Sequence, residues 1–391
     1  MAENNSECTE VLDEKPRSIL LGLISQLRLG MDLHRVTLPT FVLEPRSMLE
    51  RISDFMSHPE LILKTSTKND PLERFIDVVR YYLSGWHIKP KGVKKPYNPV
   101  LGEIFRCRYK YNDGSEGIYF AEQVSHHPPI SAYYYASFAN NLVIRGDFRP
   151  KSKFLGNSAA TIVDGISRIQ FLSHPNEEYE IKMPNMYARG ILFGTMVLEL
   201  GDQSIVRCTK SDLVCEIDFK TKGFFSGTYN TIIGKIKRES TGETLYEISG
   251  TWSDSMFIRK YKSNDNKLLV NVHDHKVQPK IVAPEADQEE RESRKLWSKV
   301  TKALLSRDID LATDEKTTIE ERQRKEARIR ESEDIDWEPR FFYFDKHHDD
   351  YKFKLQHFSQ DPKEAMGQLE KFIFSNSPYS SRAVGTINGK K

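Results

Sequence analysis

The residues best equipped for chemistry lie in the stretch Glu122-Gln123-Val124-Ser125-His126-His127-Pro128-Pro129. Two adjacent imidazoles are followed by two prolines, which lack N–H groups and fix φ. The preceding Gly117-Ile118-Tyr119-Phe120-Ala121 is rich in aromatic and β-branched residues and predicts a strand that must end at the prolines in a stiff turn. Three uses of the histidines compete. They can simply build a turn. They can bind a metal, although neighbouring strand side chains point to opposite faces and no Cys or helically spaced His stands nearby. Or they can donate hydrogen bonds to an anion.

A second group with chemical potential is Lys316, Glu320 and Arg324. Residues four apart stack along one helical face, so the three would form two i,i+4 ion pairs, each worth about a few tenths of a kcal/mol. Glu103 and Glu122 are available as acid or base groups. However, the chain contains no Gly-x-Ser-x-Gly elbow, no phosphate-cradling glycine loop and no spaced carboxylate pair. His347-His348-Asp349-Asp350 could suggest a metal, but it lacks periodic partners and reads as a charged loop.

The elements that must position these groups fall into three zones. Residues 1–14 carry five carboxylates and no Lys or Arg, which predicts a disordered acidic tail. Ile19, Leu20, Leu23, Ile24 and Leu27 follow helical spacing behind Ser18, predicting either a packed helix or a lid with one apolar face. Leu33, Val36 and Leu38 alternate in an extended segment. Ser47-Met48-Leu49-Glu50 predicts a capping box opening a helix to about His58, and Asp70-Pro71 opens another with Phe75, Val78, Val79 and Tyr82 on one face. From about 99 to 275 strands follow one another, with hairpin turns at Asn112-Asp113-Gly114 and Ser240-Thr241-Gly242. So many consecutive strands without intervening helices predict an antiparallel sheet that curls or closes. Beyond 276 come a linker, helices over 287–305 and 314–333, an aromatic cluster at Trp337–Phe344 and a loose tail after about 376. The second helix carries seven acids and six bases and predicts a solvated face.

Composition bounds the rest. The chain has 391 residues, is 29% charged and 38% hydrophobic, and carries a net charge of +2, so no global field favours nucleic acid. Four scattered cysteines without CxxC spacing argue against a disulfide framework or zinc site. No apolar run approaches the roughly 18 residues of a spanning helix, and no signal-peptide pattern is present. The expected location is cytoplasmic.

Glu-Gln-Val-Ser-His-His-Pro-Pro at 122–129 and Lys-Lys-Pro-Tyr-Asn-Pro-Val-Leu-Gly-Glu at 94–103 together resemble the signatures of the oxysterol-binding-protein-related lipid-transfer family. Further similarity at 24–28, 38–44 and 151–157 is greatest to its short fungal-type members, which exchange phosphatidylserine for phosphatidylinositol 4-phosphate. The resemblance spans about 18–345. It implies an incomplete antiparallel β-barrel around a lipid tunnel, mainly β with helices, with a lid at 18–30, helices at about 47–84, the barrel at about 99–275, C-terminal helices at about 287–333, and an extension over 346–391. It implies that Lys95, Asn98, His126, His127, Lys316 and Arg324 hold a phosphoinositide headgroup, with Glu320 orienting its neighbours. It implies that Leu33, Val36, Leu38, Lys95, Asn98 and Ser152 contact phosphatidylserine. Neither catalysis nor a metal or other cofactor is implied. The expected partners are phospholipids and anionic membranes touched peripherally, at endoplasmic reticulum and plasma membrane contact sites. A sterol as the second ligand stays open.

Overall fold

In the computed structural model the structure describes residues 9–10, 22, 27–32, 40–89, 92–191, 196–222 and 227–375. The predicted lid helix therefore lies outside the described residues except for Gly22 and 27–30, and so do Leu33, Val36 and Leu38. The fold is mainly β with helices, as expected, and its large antiparallel sheet has 15 strands among the described residues. The chain divides into two compact units.

The first unit comprises Met1–Val42, Asp54–Lys95 and Phe148–Gln278. Its strands Met196–Cys208, Leu213–Lys220, Thr231–Arg238, Thr244–Thr251, Ser255–Lys260 and Asn266–Asn271 each pair antiparallel with the next. Along Thr231–Arg238 Ile232, Gly234 and Ile236 are buried while Ile233 and Lys235 are exposed, the period-two pattern of a sheet with one wet face. The predicted turn at 240–242 closes the hairpin between 231–238 and 244–251. Helix Pro71–Ser84 is capped by Asp70, whose carboxylate accepts from Leu72 N at 2.9 Å, and it buries Phe75, Val78 and Val79. From the same helix the buried Arg74 guanidinium meets Glu177 at 2.7 Å, and Tyr179 Oη donates to that carboxylate at 2.6 Å. Unpaired, either charge would be costly at that depth; paired and hydrogen-bonded, both are accommodated.

The second unit comprises Leu43–Ser53, Pro96–Asp147 and Pro279–Lys391. Ile104–Lys110, Glu116–His126 and Pro129–Ser137 form an antiparallel meander, with the turn at 112–114 where it is predicted. Both faces of Glu116–His126 are buried through most of its length. One face carries Tyr119, packed by Phe105 and Tyr133. The other carries Ile118 and Phe120, covered by Phe341, Phe342, Phe353, Leu369 and Ile373. The predicted aromatic cluster at 337–344 thus docks the C-terminal segment. Within the expected C-terminal extension, residues 346–375 supply the strand Asp350–Phe353 and the helix Pro362–Phe374 to this core.

Three expectations require correction. The helix opened by Ser47 runs α-helically only over Met48–Ile52 before becoming 3-10 over Ser53–Ser57. The Glu50 carboxylate takes the Arg294 guanidinium at 2.7 Å, and Ser53 Oγ donates to Glu50 O at 2.6 Å. The Ser53 bond, made to the helix's own backbone carbonyl, competes with continuation of the helix. The helix expected over 287–305 is two pieces, Ser293–Leu296 and Ser298–Leu305, broken at the buried Trp297. The charged helix begins earlier, at Ile309, and ends at Ser332; it is not solvated all round, because Ala312 and Gln323 are buried and Ile319 packs against the cluster around Trp297.

Candidate anion-binding site

The histidine pair is set by its hairpin. His126 pairs with Pro129 across the turn, and the register slips between Gln123 and Ser125, marking a bulge. Side chains brace that bulge: Gln123 Nε2 donates to Ser125 O at 2.8 Å, Ser131 Oγ donates to Gln123 Oε1 at 2.6 Å, and Ser125 Oγ donates to Pro128 O at 2.7 Å. The two imidazoles lie with centroids 4.5 Å apart, nearly edge-on at 69°. His126 is half-buried and His127 exposed.

The second signature lies against the first. Gly102 N donates to Gln123 O, and Gln123 N donates to Glu103 O, each at 2.9 Å. Gly102 adopts φ +74°, and a Cβ there would stand 2.6 Å from the Trp337 ring, so both the backbone and the space require glycine. Glu103 is fully buried and accepts from Val100 N, Trp297 Nε1 and Ser293 Oγ at 3.0, 2.9 and 2.7 Å, and from Ser47 Oγ. Burial raises its pKa, against these four hydrogen bonds. Burial also raises Glu122, which accepts from the backbone N–H groups of Arg340 and Phe341 at 2.7 and 2.8 Å. Both carboxylates are thus occupied in holding the scaffold and not presented as acids or bases.

Helix Ile309–Ser332 supplies the cations. Lys316 Nζ meets Glu320 at 2.6 Å, while Arg324 reaches the other oxygen of Glu320 at 3.5 Å. Lys316 is largely buried and Arg324 mostly exposed. One turn further on, Gln323 links this helix to both signatures: its Oε1 accepts from Leu101 N at 3.0 Å, and its Nε2 lies 2.6 Å from His126 Nε2. No motif marks Gln323 in the sequence; its one signal is that it stands seven residues from Lys316 and hence on the same helical face.

His126, His127, Asn98, Lys316, Glu320 and Arg324 thus all lie in the second unit, with Asn98 exposed on the loop after strand Lys95–Tyr97. Lys95 and Ser152 are assigned to the first unit. Lys95 is half-buried at the start of its strand; Ser152 is buried within Leu142–Phe154, opposite Thr161. The same strand carries a further partner at its end, where Gly30 N donates to Phe154 O at 2.7 Å and Phe154 N to Met31 O at 3.0 Å.

Among the described residues no group of three or more His, Cys, Asp or Glu is arranged to hold a metal ion. At 347–350 the local charges serve one another: His348 Nδ1 lies 2.7 Å from Asp345 Oδ2, and His347 N donates to Asp345 Oδ1 at 3.0 Å. No helix among the described residues is long and apolar enough to cross a membrane.

The family described as oxysterol-binding protein matches this chain over residues 22–303 and 300–362. An oxysterol-binding protein homolog of Schizosaccharomyces pombe, C23B6.01c, is 50% identical over 351 residues, covering 87% of this chain and 73% of the relative. The Osh1 ORD domain, solved with cholesterol, aligns with a TM-score of 0.72 and 25% identity over 90% of this chain and 89% of that one. The Osh3 ORD of Saccharomyces cerevisiae, solved with PI(4)P, shares the fold with a TM-score of 0.63 and 20% identity over 90% and 92% of the two chains. The family match over most of the sequence, together with a relative half identical to it over 87% of its length, makes the chain a member of the oxysterol-binding protein family.

Proposed function

We propose that this lipid-transfer domain exchanges phosphatidylserine for phosphatidylinositol 4-phosphate between membranes, without chemical conversion of either. The observation that carries the phosphoinositide half is the contact of Gln323 with His126, which brings the Lys316–Glu320–Arg324 face to the histidine hairpin. Imidazole, ammonium and guanidinium carried on a hairpin and a helix that touch through Gln323 suit a phosphate, for which Arg offers a planar fork and Lys a point charge. Asn98 and Lys95 are the proposed headgroup contacts from the other signature. Leu33, Val36, Leu38 and Ser152 are proposed contacts for phosphatidylserine.

An enclosed apolar site is required by magnitude. A diacyl lipid carries on the order of 30 methylenes at roughly 0.8 kcal/mol each, so exposing them to water would cost about 24 kcal/mol. Nearly all of that area must be reburied during transfer. Peripheral action at contacts between endoplasmic reticulum and plasma membrane is part of the same proposal. A sterol in place of phosphatidylserine is the second reading, favoured by the cholesterol held in the Osh1 domain.

Mass spectrometry of lipids that copurify with the protein, beside a two-liposome transfer assay, tests both. Copurified phosphatidylserine and its transfer against a phosphatidylinositol 4-phosphate gradient are expected. Sterol as the only second cargo selects the other reading. Simultaneous binding of both lipids, one of each per protein, rules out exchange through one site.

A further inference from the structure

We infer that Gln323 is the positioning residue of the histidine site: it fixes His126 as the neutral tautomer protonated on Nδ1 and locks the helix to the hairpin in that state. The inference rests on the phosphate-binding reading above only for its consequence; the geometry itself is independent of any ligand.

Leu101 N–H is a donor, and it lies 3.0 Å from one end of the Gln323 amide. That end must therefore be the carbonyl oxygen, and the opposite end the NH2 group, which can only donate. The NH2 stands 2.6 Å from His126 Nε2. Nε2 must accept, so a neutral His126 carries its proton on Nδ1. A proton on Nε2 would place two donors head to head. Gln323 is nine-tenths buried, and its helix is pinned nearby by Ile319 in the Trp297 cluster and by Glu326 on Arg291 at 2.8 Å. Swinging the amide aside would cost the Leu101 bond and leave a buried N–H to be satisfied elsewhere. His126 Nε2 is thus committed to the protein, and the proton of the neutral ring sits on the buried Nδ1.

The consequence for binding is a division of labour. His126 is held neutral and in one orientation, whereas the exposed His127, edge-on at 4.5 Å, has no such restraint from Gln323. The charged groups on the same face as Gln323 are Lys316, Glu320, Glu326, which pairs with Arg291, and Arg330, which lies over Trp337, with Arg324 beside them. The positive charge met by a phosphate then comes from Lys316 and Arg324, not from His126.

The test uses the full chain labelled with 15N-histidine, and inositol 1,4-bisphosphate as the soluble probe. Long-range 15N–1H correlation spectra should show His126 with an unprotonated Nε2 and a protonated Nδ1 near neutral pH. Gln323→Glu keeps an acceptor for Leu101 and turns the other end into a second acceptor. It should move the proton to Nε2 or make His126 an imidazolium and raise its titration midpoint. Gln323→Leu should release the tautomer to a mixture and weaken the probe about tenfold, a factor equivalent to about 1.4 kcal/mol. An Nε2–H tautomer in the native protein, or a tautomer unmoved by Gln323→Glu while the Leu101 amide signal persists, overturns the inference. Should the tautomer shift as expected while no variant, native included, binds the probe, the positioning role stands and the phosphate reading fails.

Discussion

Two places in this molecule bring imidazoles together, and they differ in almost every other respect. In the second unit His126 and His127 are chain neighbours, half-buried and exposed, on a braced hairpin that also meets the helix carrying Lys316 and Arg324. In the first unit His58 and His87, far apart in the chain, stack with centroids 5.0 Å apart and a 12° tilt, their Nε2 atoms 2.7 Å from each other. His58 has no exposed surface, and His275 lies beside it with centroids at 5.7 Å while bonding Glu60 at 2.8 Å. Burial lowers the pKa of His58, and burial together with His58 pushes His87 down to about 4. A single proton shared across 2.7 Å is favourable; two would place like charges in contact away from water. Proximity of histidines therefore does not define a site. Access, and the sign of the surrounding charge, separates a pair that can greet an anion from one that is neutral packing.

The sharpest way to break the comparison is to remove each pair in turn. His126→Ala with His127→Ala should cost a hundredfold or more in phosphoinositide extraction from liposomes, since two hydrogen bonds to a charged group are worth roughly 1.5–3 kcal/mol each. Its melting temperature should stay near that of the native protein. Undiminished extraction would remove the anion role. Next in size, Leu38→Asp should weaken both proposed lipids by at least about tenfold, because a carboxylate is driven against acyl chains. Loss of only one lipid in a competition assay would show that the two do not share apolar walls.

The buried pair should answer to pH instead. With a folded-state pKa of about 4 against an ordinary 6.5, His87 takes up its proton in the unfolded chain first. Its contribution to stability is then complete above pH 6.5 and is lost as pH falls towards 4. Glu60, His273 and His275 are the titrating groups around this pair. Thermal melts at pH 7 and 4.5 should differ by several degrees less in His87→Gln than in the native protein, a change absent from the His126/His127 double variant. An equal pH slope in all three would contradict the burial argument. The smallest effect is expected at the N-terminus. Replacing Glu3, Glu7, Glu10, Asp13 and Glu14 by their amides should raise flotation of lipid-loaded protein with anionic liposomes by about twofold at low salt, and less at 0.1 M, where exposed charges are screened within about 10 Å.

Local signals determine much of the chain's backbone geometry. Asn112-Asp113-Gly114 and Ser240-Thr241-Gly242 mark hairpins because turn chemistry acts over a few residues, and both hairpins are where those residues place them. The prolines after His127 end a strand, and Asp70-Pro71 starts a helix, for the same short-range reasons. The spacing of Lys316, Glu320 and Arg324 yields the observed ion pairs because a helix repeats every 3.6 residues wherever it is packed. What pattern could not supply was which faces become buried. The charged helix looks solvated until Gln323 finds Leu101 and His126. The C-terminal segment reads as an extension until its aromatic residues cover Phe120. Those outcomes depend on partners distant in the chain, whose desolvation and hydrogen bonding exist only once the backbone has brought them together. Chain-local geometry was therefore decided by the sequence, while the tautomer of His126 and the neutrality of His87 were decided by tertiary packing, because only packing sets the dielectric and the partner that a proton meets.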